Sequence, residues 1–136
     1  MNTESNEIRL PNALRWFLAQ RLLSFTPWHF SNEQSGYSFA SEVFHREDLK
    51  KRKVFVFARR QDCDDFAGIE IVDGILIDKV ICFHPSFGTN IPGWDIVDGE
   101  HEDVFEFVIK VVVPDMKDWA SVEDADAIQD DYVSKG

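Results

Sequence analysis

The densest run of groups able to do chemistry is Arg59-Arg60-Gln61-Asp62-Cys63-Asp64-Asp65. Three carboxylates within four residues are hard oxygen donors of the kind that hold calcium or magnesium. The run misses the calcium-loop pattern, because no glycine stands at its sixth position and no glutamate at its twelfth. Arg59 and Arg60 would also neutralise such a site from within. Asp62, Asp64 and Asp65 are therefore expected to hold no metal, and at least one of them to pair with Arg59 or Arg60 or to cap local backbone amides. His84, set before Pro85, raises a second chemistry, a Cys-His pair with Cys63 as nucleophile. No signature in the sequence supports that pair, and the plainer expectation is a strand-end histidine bonded to backbone. His29, beside Trp28, carries no stronger signal. The chain has no GxSxG, no HExxH, no phosphate loop and no dinucleotide fingerprint. Phe87-Gly88-Thr89-Asn90 lacks the following helix that a phosphate site requires. No catalytic residue, cofactor or metal is assigned on these grounds. Cys63 and Cys82 are too few for a disulfide framework and match no zinc spacing, which suits two idle thiols in a reducing cytoplasm.

Binding chemistry is better represented than catalytic chemistry. Trp28, Trp94 and Trp119 are each flanked by turn or acidic residues. Tryptophan packs in cores by default, but it is also enriched where proteins bind one another. Trp94, in Pro92-Gly93-Trp94-Asp95, is the one expected to be partly exposed. The charge adds a direction. Residues 1–89 carry twelve acidic against eleven basic side chains, whereas residues 90–136 carry thirteen acidic against three. Such a surface repels phosphate backbones and draws a basic protein partner. Residues 94–131 are therefore expected to face that partner, led by Trp94, Asp95, Asp98, Glu100 and Glu102. Acidity that serves solubility alone is the competing reading.

The elements that must position these groups fit one domain over residues 1–136, with a loose start (1–9) and an acidic tail (121–136) of low order. A hydrophobic content of 44% is enough for a real core at this length. The start has no basic or apolar signal region, and no run of apolar residues spans a membrane. Leu14, Phe17, Leu18 and Leu22 recur at helical spacing after a candidate cap at Asn12, predicting a helix over about 14–23 that stops before Pro27. Pro27 to Phe30 forms an aromatic step, residues 31–38 a loop around Gly36, and 39–44 is ambiguous. The basic run Lys50 to Lys53 is taken as a solvated turn. Val54 to Ala58, Phe66 to Val72 and Ile75 to Phe83 predict three antiparallel strands, the last two joined by the hairpin signal Asp73-Gly74. A short strand is expected over 94–97. Residues 102–119 show a helical face, kinked or restarted at Pro114, with acidic residues 100, 102, 103 and 106 suited to its N-terminus.

Three of these segments resemble the SUKH superfamily, the Smi/Knr-like proteins. They are Thr26-Pro27-Trp28-His29-Phe30 after an amphipathic helix, the block Val56 to Ala67, and Val80 to Phe87, a strand ending in histidine. A closing aromatic helix, Phe105 to Trp119, also fits, although Pro114 and Val111 to Val113 depart from the usual helix formers. The resemblance spans about residues 10–120. It implies an α+β fold, a bent antiparallel sheet with N-terminal and C-terminal helices packed on one side. It also implies a cytoplasmic immunity protein that neutralises a nuclease or deaminase toxin, or a regulatory scaffold that binds a cellular protein. The family has no catalytic residues to carry over; Arg60, Asp62, Asp64 and Asp65 match its motif, within segments that also hold Trp28, Arg59 and His84. A metal binder or minor enzyme built on Asp62, Asp64, Asp65 and His84 is the third reading.

Overall fold

The protein's structure, a computed structural model, describes residues 9–88 and 93–128. Six strands form one antiparallel sheet in chain order: β1 Ser24–Phe25, β2 Trp28–Phe30, β3 Lys53–Arg60, β4 Phe66–Val72, β5 Ile75–Phe83 and β6 Val97–His101. The helices are α1 Asn12–Ala19, α2 Ser38–Glu47, and a C-terminal rod. The rod consists of α3 Val104–Phe107, a π-helical turn Val108–Val112, and α4 Val113–Ala120. The expected α+β class and the three expected central strands are both present, adjacent and in the expected order. No helix among the described residues is long and apolar enough to cross a membrane.

The central strands read as continuous apolar runs because both faces of the sheet are covered. Along β3, Val54 and Val56 point into a cluster with Ala40 and Phe44 of α2, while Phe55 and Phe57 point into a cluster with Leu14, Val104 and Phe107. β5 repeats the division: Ile81 and Phe83 join the α2 side, Val80 and Cys82 the other. The helices therefore lie on both faces, not on one side as the family resemblance implies. Residues 39–44, ambiguous by pattern, supply the second layer as α2. The Asp73-Gly74 turn behaves as expected, with φ of 51° and 78° and Val72 paired to Ile75.

Several boundaries differ from expectation for local reasons. α1 ends at Ala19 because Arg21 enters the left-handed region at φ 58°. Leu22 N–H then reaches back to Phe17 O at 2.9 Å and Arg21 N–H to Leu18 O at 3.0 Å, a helix stop of the Schellman type. Pro11 occupies the cap position and Asn12 is the first helical residue, so Asn12 does not cap. The aromatic step at residues 28–30 is a strand, held against β3 by Trp28–Arg60 and Phe30–Ala58 pairing. The strand expected over 94–97 begins at Val97 instead. Asp95 Oδ1 accepts from Val97 N–H at 3.0 Å, closing a side-chain turn just before it.

Pro114 shapes the C-terminal rod as the sequence predicts. Proline has no N–H to give and its ring crowds the carbonyl four residues back. The preceding turn widens instead, and Val113 N–H reaches Val108 O, five residues back. Pro114 then stands in the first turn of α4, where a missing N–H costs nothing. The rod starts at Asp103, whose Oδ1 accepts from Glu106 N–H at 2.8 Å, while Glu106 Oε1 accepts from Glu102 N–H at 2.8 Å. In the acidic tail, residues 121–128 are exposed and 125–128 form a helical turn. Residues 1–8 of the expected loose start and 129–136 of the expected tail lie outside the described residues.

Gly36 is required by this packing. Its φ is +62°, and a Cβ there would stand 2.3 Å from Val56 O and 2.9 Å from the ring of Phe55. Gly36→Ala is expected to destabilise the fold by about 2–4 kcal/mol, from left-handed strain plus backbone displacement. Gly99→Ala, whose Cβ would meet nothing nearer than 3.8 Å, should change stability little. Urea unfolding of the two variants side by side tests the contrast.

Candidate functional site

The Asp-rich loop between β3 and β4 is organised by ion pairing. Arg60 Nε donates to Asp62 Oδ1 at 2.6 Å, and that bond holds the Asp62 carboxyl below its ordinary pKa. Arg60 Nη1 also lies 3.0 Å from Asp115 Oδ2 of α4, and Trp28 Nε1 donates to the same oxygen at 2.8 Å. The buried Trp28, the loop and the C-terminal rod thus share one carboxylate. Asp115 carries no motif signal in the sequence beyond following Pro114, and only the tertiary fold brings it here. Arg59 and Asp64 are exposed and take no part in this cluster. Among the described residues, no group of three histidine, cysteine, aspartate or glutamate side chains is placed to hold a metal ion.

Cys63, Asp65 and His84 do come together, but in an order unlike that of a nucleophile and its base. Cys63 Sγ donates to Asp65 Oδ2 at 3.3 Å, and His84 Nδ1 lies 2.8 Å from Asp65 Oδ1. The carboxylate stands between thiol and imidazole. Burial, then the hydrogen bond and negative charge of Asp65, push the Cys63 thiol up to about 11. A thiol so placed stays protonated at neutral pH, whereas a nucleophilic cysteine is shifted the other way. The His84 ring thus meets a carboxylate, not the backbone partner expected for it; its main-chain N–H donates to Ile96 O at 2.8 Å, fixing the end of β5 beside the start of β6. His29 Nε2 pairs with Gln61 Oε1 and its Nδ1 with Ser24 Oγ, which pins the β1–β2 turn.

Beside this loop lies a cleft of about 290 Å³ between the sheet and α4. Trp28, Cys82, Gly99 and His101 line it together with three carboxylates from three elements: Asp65, Asp98 and Asp115. Asp65 and Asp115 have the partners described above. Asp98 occupies the extra position of a β-bulge, where Cys82 pairs with Gly99 and Phe83 with Val97. Burial raises the Asp98 pKa and the negative charge of Asp65 raises it further, partly opposed by His84, with a smaller upward push from Asp95. Among the described residues Asp98 has no cation at ion-pair distance.

The five residues expected to face a partner lie in or next to β6: Trp94 and Asp95 precede it, Asp98 and Glu100 belong to it, and Glu102 follows it. Trp94 is 48% exposed, and Asp95, Asp98 and Glu102 are exposed. Glu100 departs from the expectation, because it is committed inside the chain. Its carboxylate meets Lys79 Nζ at 2.5 Å and Arg52 Nη1 at 3.0 Å, and these contacts lower its pKa. Arg52 in turn grips the fully buried Asp48, through Nε at 2.9 Å and Nη2 at 3.0 Å, while its backbone N–H donates to the same carboxylate at 2.9 Å. The basic run 50–53 is thus not wholly a solvated turn. Burial works to raise the Asp48 pKa, but the hydrogen bonds and charge of Arg52 prevail and hold it below the ordinary value.

Removing Arg52 would leave a buried carboxylate without its cation. Arg52→Ala is expected to cost about 3 kcal/mol of stability, measured by urea unfolding at neutral pH. Because Asp48 is depressed in the fold, its contribution is present above the unfolded value near pH 4 and is lost as pH falls through the folded value. The gap between wild type and Arg52→Ala should therefore narrow on acidification. Alkylation provides a second check: Cys63 should react slowly with iodoacetamide at neutral pH, with a rate still rising at about pH 9. Asp65→Asn should shift that profile to lower pH. No protein-family model matches the chain, and neither a curated protein nor a solved structure does.

Proposed function

We propose that the chain is a protein-binding domain of the immunity type, which acts in the cytoplasm by covering the cationic surface of a nuclease or deaminase toxin. The observation that carries this reading is the run of unpaired carboxylates in and beside β6. Asp95 just before the strand, Asp98 within it and Glu102 just after it have no cation at ion-pair distance among the described residues. Asp48, Asp62, Glu70 and Glu100 are each matched by an arginine or lysine. Charge left unpaired on one edge is available to an arriving basic protein, and it speeds the encounter through long-range attraction. Enzymes that act on nucleic acids must themselves be basic to hold phosphates, so their binding surface has the complementary sign. Trp94, half exposed beside this edge, supplies the aromatic anchor that such interfaces use. The resemblance of residues 26–30, 56–67 and 80–87 to SUKH proteins supports the same reading. The thiol-carboxylate-imidazole order in the loop supplies no activated nucleophile and does not favour an enzymatic alternative.

The test is binding to the product of the adjacent gene, with kinetics resolved by surface plasmon resonance. Joint reversal of Asp95, Asp98 and Glu102 to lysine should slow association at least about tenfold at low salt and flatten its salt dependence. Glu100 is left intact in that variant, because its ion pairs belong to the fold. Trp94→Ala should act on dissociation instead, speeding it about tenfold or more. An unchanged association rate in the triple variant, or an acidic partner, would remove the proposal.

A further inference from the structure

We infer that β6 is a docking edge for an extended, basic segment of the partner, which adds to the sheet as a seventh strand and passes one arginine or lysine across Gly99 into the Asp98 cleft. The inference rests on the protein-binding reading above and specifies its geometry.

Four observations meet at this strand. First, β6 ends the sheet: it pairs with β5 on one side, and no strand among the described residues pairs with it on the other. An edge strand presents alternate N–H and C=O groups that remain unpaired, a ready template for another extended chain. The opposite edge, β1, is only two residues long and offers much less. Second, Gly99 is not explained by the fold. Its φ is not in the left-handed region, and a Cβ would have open space to 3.8 Å, so neither strain nor packing requires glycine there. A bare backbone in a strand allows close approach by something outside it. Third, Gly99 and Asp98 both line the cleft beside Trp28, so a side chain crossing the glycine enters a hollow that holds the carboxylates of Asp65, Asp98 and Asp115. Fourth, the edge selects its partner by charge. Asp95, Asp98 and Glu102, the three without a cation, fall within eight residues that contain no lysine or arginine.

The same charges disfavour a second copy of this chain as the occupant. Antiparallel pairing of β6 with itself would bring Asp98 and Glu102 of one copy within cross-strand distance of those of the other, where like charges destabilise. A basic strand meets no such penalty. Its cations meet the carboxylates of Asp98 and Glu102, and its backbone completes the ladder.

A seven-residue peptide alternating valine and arginine is the probe, with the same peptide carrying glutamate for arginine as control. Binding is followed by amide chemical shifts and hydrogen exchange across the intact protein. The arginine peptide should perturb and protect the amides of residues 97–101 in a saturable way, and the glutamate peptide should not. Gly99→Val, which keeps strand propensity but fills the crossing point, should weaken binding at least about tenfold, and Asp98→Asn about fivefold. Amide spectra of the free variants establish that each is folded. Binding of the arginine peptide without protection of β6, undiminished binding by Gly99→Val, or no saturable binding at millimolar peptide would each overturn strand addition. So would concentration-dependent dimerisation of the free protein that protects the same amides. These outcomes are separable from failure of the broader reading: a toxin that binds but leaves β6 exchanging freely removes strand addition alone, and a neighbouring gene product that does not bind removes the immunity reading.

Discussion

Covering both faces of the β3–β4–β5 ladder is the constraint on which the remaining architecture depends. A strand with Val54 and Val56 on one face and Phe55 and Phe57 on the other has no side to offer to water. Each such residue gains roughly 1.5–3 kcal/mol by burial, and the gain is lost if either layer is missing. α2 answers for one face, with Phe44 against Phe83 at a ring separation of 4.7 Å. α1 and the C-terminal rod answer for the other, where Phe107 contacts the rings of Trp28, Phe30 and Phe57. The loops then follow from the layers. Gly36 passes against the β3 backbone because the chain must cross from the end of β2 to reach the α2 face.

The polar contacts tie those layers together at their margins. Arg52 joins the buried Asp48 at the end of α2 to Glu100 of β6, and Lys79 of β5 bridges Glu100 to Glu70 of β4. On the other face, Asp115 links the rod to Trp28 of β2 and to Arg60 of β3. Isolated surface pairs contribute little, but the Asp48–Arg52 pair is buried at its carboxylate, and breaking it strands a charge. The acidic groups at these margins thus differ from those in and beside β6. Those at the margins of the layers are neutralised within the chain. Asp95, Asp98 and Glu102 are not, and they line an edge whose backbone is also open.

What the sequence by itself determined is the part governed by neighbours in the chain. Alternation and β-branching set the three central strands, positive-φ residues set the Asp73-Gly74 turn, and a proline without a donor set the break at residue 114. The acidic excess after residue 90 and the exposure of Trp94 were equally legible, since charge and a Gly-Trp-Asp turn need no fold to be read. What the tertiary structure decided is whatever depends on partners distant in the chain. Residues 39–44 became a helix because the α2 face of the sheet needed covering. Val97 to His101 became a strand through pairing with β5, despite a polar sequence with weak strand propensity of its own. Asp115 meets Trp28 across 87 positions, and Glu100 meets Arg52 across 48, so neither contact leaves a local spacing to detect. Glu100 looked identical to Asp98 in the sequence. It is the fold that pairs one within the chain and leaves the other open in the cleft, because a carboxylate's charge is fixed by its residue type while its availability depends on which cations the packing brings within about 4 Å.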